Sequence, residues 1–286
     1  MAVVWTPAFA WAGHIHLPAW LPLLLALVTW SVYVGDRLLD ARAGMSEGAS
    51  HTLRERHYFH WRHRRSLLPL AAVAACAAAG IILLFMPPIA RERDSLLAAA
   101  AFVYFSGVHS RPHKRRLRFR RPRSLPAKEF LVGIIFTAGC ALPAWHRPHT
   151  LAADAPNLWS FWIPALDYAA LAWLNCSCIA QWESAGAAEP AMHSNRKDTV
   201  RPQQARPGSI LIASVLLSVF NLCVAATFAP AHPRPAALLM AAGASSLLLT
   251  LLNEHRKGFS ALALRTAADL VLLTPLLLIP FARIFR

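Results

Sequence analysis

Asp36 and Asp40 stand four residues apart in Val32-Tyr-Val-Gly-Asp36-Arg37-Leu-Leu-Asp40, where a long apolar stretch meets a basic one. On a helix that spacing puts both carboxylates on one face, where they repel unless a cation lies between them. Acids at the rim of a membrane span mark a functional site by default. A second polar group closes a later apolar stretch: Asn175, Gln181 and Glu183 within Asn175-Cys-Ser-Cys-Ile-Ala-Gln-Trp-Glu183. Asn175 and Glu183 are two turns apart, within about 80° of one helical face. Lys128 and Glu129 open another apolar stretch, and Arg265 and Asp269 lie a turn apart near the start of the last one. Carboxylates at helix ends suit Mg²⁺, which takes oxygen ligands and keeps waters and substrate phosphates in its shell. Lys and Arg nearby neutralise a diphosphate, and Arg can grip two of its oxygens at once.

The elements that must position these groups are apolar blocks. The chain has 286 residues, 56% of them hydrophobic, and only 14 acids. A soluble domain would carry more charge and arrange its apolar residues in amphipathic stripes. Here they run uninterrupted, giving eight expected spans at about 15–34, 67–87, 95–108, 125–145, 158–181, 208–229, 235–253 and 262–283. Most reach the roughly 20 residues a bilayer core requires; the third is short and is expected to extend into its flanking loop. The expected fold is an all-α polytopic bundle in one integral membrane domain, with cytoplasmic loops at about 35–66, 109–124, 182–207 and 254–261.

The formal net charge of +15 is concentrated in those four loops, which hold Arg54, Arg56, Arg62, Lys114, Arg115, Arg196, Lys197 and others. The alternate loops hold only Arg91, Arg93, Arg147 and Arg234. By the positive-inside rule the basic loops face the cytoplasm and both termini lie outside, as in a bacterial inner membrane. Topology therefore accounts for the charge without nucleic acid. No Lys or Arg precedes the first apolar run, so no signal peptide is expected. Of the five cysteines, Cys76, Cys140 and Cys223 fall inside spans as small apolar residues. Cys176 and Cys178 point to different faces of one helix and are not expected to bind metal.

With this topology the acids, amides and cations gather at one level of the cytoplasmic face, in front of an apolar interior able to hold a lipid tail. These parts point to transfer of an isoprenoid group. The diphosphate is drawn away, and a second substrate attacks the allylic cation, which Tyr33, Trp30, Trp173 or Trp182 would shield with a ring face.

The stretch Val32 to Asp40 resembles the first aspartate-rich motif of the UbiA-type intramembrane prenyltransferases, which make ubiquinone, menaquinone, haem O and related lipids. Leu125-Pro-Ala-Lys128-Glu129-Phe-Leu-Val-Gly133, followed by Phe136 and Gly139, is similar to the family's span after a basic loop. Asn175 to Glu183 falls where the family carries its second acidic motif. The resemblance implies Mg²⁺ as cofactor, held at Asp36 and Asp40 and again at Asn175 and Glu183. It implies Asp36, Asp40 and Glu183 as catalytic residues, and Tyr33, Arg37, Lys114, Arg115, Lys128 and Asn175 as contacts to substrate. A prenyl diphosphate and an aromatic or lipid acceptor would be the partners, within membrane lipid. The chain departs from the family at Val32, where an Asn is usual, and in its single second-motif carboxylate, Glu183. It also has no expected helix before the helix of the first motif.

Two other classes fit parts of the pattern. The 13 histidines include His57, His60 and His63 at three-residue spacing and the i,i+4 pair His109 and His113. Imidazole suits iron, as in a membrane di-iron oxygenase, but only His193 and His255 remain to complete such a site. The same segment, with its arginines, Tyr58 and Trp61, also suits anionic headgroups. A lipid-binding or carrier protein of the same fold, without turnover, is the second class. A transporter lacks the matched pair of broken spans its inverted repeats would supply. Inside the membrane, Asn221 is expected to bond across helices, and Asp269 to pair with Arg265.

Overall fold

The computed structural model describes residues 1–46, 55–109, 127–145, 158–188 and 207–278. Among these the regular structure is entirely helical. Six stretches are long and apolar enough to cross a membrane: Trp20–Arg42, Arg64–Phe85, Trp159–Glu183, Gly208–Phe228, Pro233–Glu254 and Ala261–Leu278. The protein is thus an all-α membrane-type chain. It divides into two compact units, one spanning Leu17–Arg121 and the other Val3–His16 with Pro122–Arg286.

The Leu17–Arg121 unit contains α2 (Trp20–Ser46), α3 (Glu55–Arg62), α4 (Arg64–Phe85) and α5 (Pro88–His109). α2 runs on through Asp36 and Asp40, which were expected at the start of a loop. α4 buries Ala71, Ala74 and Ala78, a stripe at helical spacing. Ala78 packs with Leu21 and Leu24 of α2, and Ser31 Oγ reaches the Ala71 carbonyl at 3.4 Å. Small residues let the two backbones approach, since lipid supplies no hydrophobic drive between spans. Away from that stripe, Leu70, Val73 and Leu84 are exposed, as a lipid-facing surface requires. α5 extends the short third expected span backward, over Arg91, Glu92, Arg93 and Asp94. Those charges keep it out of the set of membrane-length apolar helices.

The second unit contains α1 (Ala2–Ala12), α6 (Ala127–Trp145), α7 (Leu158–Ala188), α8 (Pro207–Phe228), α9 (Pro233–Glu254) and α10 (Ala261–Val271). A helix does therefore precede that of the first motif, contrary to expectation. At 11 residues it is too short to span a bilayer. It is a core element: Trp5 is fully buried, stacks on Tyr168 with ring centroids 3.9 Å apart, and donates from Nε1 to Leu272 O at 2.8 Å. The end of α1 is tied to α9, where Arg234 donates to His14 Nδ1 at 2.9 Å and to Trp11 O at 3.4 Å. A cation at a helix C-terminus complements its unpaired carbonyls.

α6 and α7 meet at Gly133, and α8 and α9 meet at Gly243, two positions where a Cβ would crowd the neighbouring helix. α10 is capped by Ser260, whose Oγ accepts from Ala263 N at 3.2 Å. Pro275 has no N–H to continue the helix, so the last expected span gives way to a 3-10 turn at Thr274–Leu278. Thr274 anchors that turn by donating to Ala241 O at 2.8 Å.

Candidate functional site

In the Leu17–Arg121 unit the site is the end of α2. Asp36 and Asp40 lie one turn apart, so their repulsion must be met. Arg37 meets it: Nη2 is 3.5 Å from Asp36 Oδ2, and Nη1 is 3.3 Å from Asp40 Oδ2. The guanidinium also lies over the Tyr33 ring, 5.3 Å from its centroid. Tyr33 in turn meets His60 of α3 edge-to-face at 5.9 Å. Tyr33, Asp36, Arg37 and Asp40, all singled out from the sequence, are thus one cluster. The cation between the carboxylates is an arginine of the same helix, and the ring face expected to shield an allylic cation is covered by it. His60, considered above as an iron ligand, is buried against that ring.

The carboxylate pair fits a hard divalent ion. Both acids turn Oδ2 to the Arg37 guanidinium, whose place an ion would take, and their side chains are 28% and 38% exposed, leaving room for water or phosphate oxygens. Among the described residues no three His, Cys, Asp or Glu side chains come together as a closed metal site. A Mg²⁺ ion here would have two protein ligands, with the rest of its shell supplied by water and substrate, the usual arrangement for that ion.

In the other unit the polar groups gather along α7 and its neighbours. Glu183 Oε1 accepts from Arg265 Nη1 of α10 at 3.2 Å, with both side chains mostly buried. Arg265 thus reaches across to α7. Asn175, two turns before Glu183, is buried, and its Oδ1 has no hydrogen-bond donor among the described residues. An unpaired carbonyl oxygen of this kind is costly and is suited to a cation or an incoming donor. Glu129 of α6 and Asp269 of α10 both lie within electrostatic reach of Cys176. Lys128 is the second residue of α6. Lys114 and Arg115 lie outside the described residues, as do His113 and His193.

A further network escaped the sequence reading. Trp182 Nε1 donates to Asn253 Oδ1 at 2.9 Å, and Arg256 Nη1 donates to the same oxygen at 3.1 Å. Trp182 is thus fixed as a strut between α7 and α9. The i,i+3 spacing of Asn253 and Arg256 was the only local signal, and it says nothing of Trp182. Asn221, expected to bond across helices, is fully buried on Gly243 and lies within hydrogen-bonding reach of Asp167 on α7.

No protein-family pattern, curated protein or solved structure matches this chain.

Proposed function

We propose that the protein is a UbiA-type intramembrane prenyltransferase, moving a prenyl group from its diphosphate to an aromatic or lipid acceptor. The observation that carries this reading is the Asp36–Arg37–Asp40 cluster: two open carboxylates converging on one cation at the end of an apolar helix. Asp36 and Asp40 would hold Mg²⁺, which supplies charge neutralisation for a departing diphosphate. Arg37, Lys114, Arg115 and Lys128 would bind the diphosphate oxygens. Asn175 and Glu183 form the second acidic position. In the transfer, the C1–O bond of the donor breaks and its electron pair leaves with the diphosphate. The acceptor atom then bonds to C1 and gives up a proton.

The eight spans of that fold would be the six membrane-length stretches together with α5 and α6. The basic loops would lie in the cytoplasm and both termini outside. The test is release of diphosphate from a labelled prenyl diphosphate by the purified protein with Mg²⁺ and candidate acceptors. Asp36→Asn should abolish release while leaving helicity intact; full activity in that variant defeats the proposal.

A second reading, a lipid-binding or carrier protein without turnover, is favoured by two contacts. Glu183 is engaged by Arg265, and the Tyr33 ring face by Arg37. It predicts that prenyl diphosphate binds and is recovered intact.

A further inference from the structure

Asp167 lies eight residues beyond Trp159, about 12 Å inside the end of its span at 1.5 Å per residue. It is 4% exposed. It lies within hydrogen-bonding reach of Asn221 of α8, which is fully buried and whose Oδ1 and Nδ2 make no other hydrogen bond among the described residues. Neither carboxylate oxygen has any other partner among them. Asn221 cannot retreat, because Gly243 of α9 stands behind it: a Cβ built there would come within 3.1 Å of the Asn221 Cβ.

The donor that the structure sets against Asp167 is the Asn221 amide. The buried hydroxyls of α8 and α9 already donate to backbone carbonyls: Ser214 to Ile210 O, Ser218 to Ser214 O, Ser246 to Ala242 O and Thr250 to Ser246 O. The titratable groups on elements packed against α7 are engaged elsewhere. Arg265 holds Glu183, Glu129 and Asp269 lie near Cys176, nine residues along α7 from Asp167, Arg234 holds the end of α1, Cys140 is buried, and Cys223 is exposed. The place therefore has three buried acceptor oxygens and one amide donor group. A carboxylate offset by one amide alone is costly there, and a bound proton or small monovalent cation would neutralise it.

We propose that Asp167 and Asn221 form an intramembrane binding site for a monovalent cation, a proton or Na⁺. The site is independent of the acidic end of α2, since it uses no residue of the prenyl-transfer reading.

Dicyclohexylcarbodiimide tests this in the wild-type full-length protein in detergent. It is an apolar reagent that adds to a protonated carboxyl, the oxygen bonding to the carbodiimide carbon and the proton passing to nitrogen. Peptide mass spectrometry in sodium-free buffer at about pH 6 should find the adduct on Asp167. Labelling should slow by about tenfold for each pH unit once the carboxyl ionises. If NaCl protects and choline chloride does not, the cation is Na⁺; if neither protects, it is the proton. Asn221→Leu, lacking the amide oxygen, should lose sodium protection while Asp167 remains reactive. Two results overturn the site: no adduct on Asp167 in protein of native helicity at low pH without sodium, or equal labelling from about pH 6 to about pH 9 with sodium inert. The second would mean a carboxyl that never exchanges its proton. Because the readout is an adduct on α7, it holds whether or not the protein turns over prenyl diphosphate.

Discussion

Gly133→Ala should destabilise the protein although it replaces glycine by the best helix former. A Cβ at Gly133 would lie 3.0 Å from Ala169 O, 3.1 Å from Trp173 N and 3.4 Å from Trp173 Cα. All three are backbone atoms of α7, so no side chain can swing aside, and the two helices must part by a few tenths of an ångström. A gap of about half an ångström forfeits a quarter or more of each dispersion contact along the seam. Overpacking of this kind costs about 1–3 kcal/mol. Gly139, on the same helix, has nothing within 4 Å of the same position. Both substitutions gain about 1 kcal/mol of helix propensity, so that gain cancels between them. Gly133→Ala should therefore fall below Gly139→Ala by about 1–3 kcal/mol, the packing cost alone. Unfolding by sodium dodecyl sulfate in mixed micelles, followed by helicity and tryptophan fluorescence, measures the difference. Equal midpoints for the two variants would refute the close approach of α6 to α7.

Trp5→Phe keeps a ring on Tyr168 but removes the donor to Leu272 O, and should cost about 1 kcal/mol in the same titration. Trp5→Ala should cost about 3–5 kcal/mol; identical losses would show that the stacking contributes nothing. Arg37→Met leaves Asp36 and Asp40 facing each other, so its unfolding midpoint should rise with added Mg²⁺ more than that of the wild type. An equal response to Mg²⁺ in both would show that the pair does not accept the ion in place of the guanidinium. Glu183→Gln removes the charge that Arg265 meets while keeping an oxygen to accept from it, and because both side chains are mostly buried it should cost about 1–3 kcal/mol. Under the prenyl-transfer reading it should also weaken the Mg²⁺ dependence of diphosphate release; an unchanged dependence removes Glu183 from the metal set.

The positions of the long helices were legible because an uninterrupted apolar run has few other solutions in a bilayer. α1 was not. Its 11 residues fall short of a span, and Pro7 reads as a breaker. What makes it a helix with a place in the core is Tyr168, far along the chain. The carboxylate pair was legible as a place needing a cation, but not the identity of that cation. On an ideal helix Arg37 points about 100° away from Asp36, and only its long stem lets the guanidinium fold back over Tyr33 and between the acids. Arg265 shows the same limit: nothing in its local spacing points to Glu183, which the arginine is long enough to reach on another helix. Local spacing selects which side chains can meet, and packing selects which of them do.

The hydroxyls of α8 and α9 sharpen that distinction inside the membrane. Ser214, Ser218, Ser246 and Thr250 make a stripe that looks, from its composition, like a polar path through the bilayer. Yet each donates to a carbonyl of its own helix about one turn back, at 2.9–3.2 Å, and Ser218 lies 3.3 Å from Gly243 O as well. A hydroxyl bonded in this way presents mainly its small volume and lone pairs to the next helix. The stripe is therefore a packing surface, of the small-residue kind that brings spans together where lipid offers no drive. Asn221 lies on the same helix and against the same glycine, but an amide is too large and has too many polar atoms to be satisfied in this way. The pairing of that amide with a carboxylate, rather than the number of polar residues along the helices, is what marks Asp167 and Asn221 as a site.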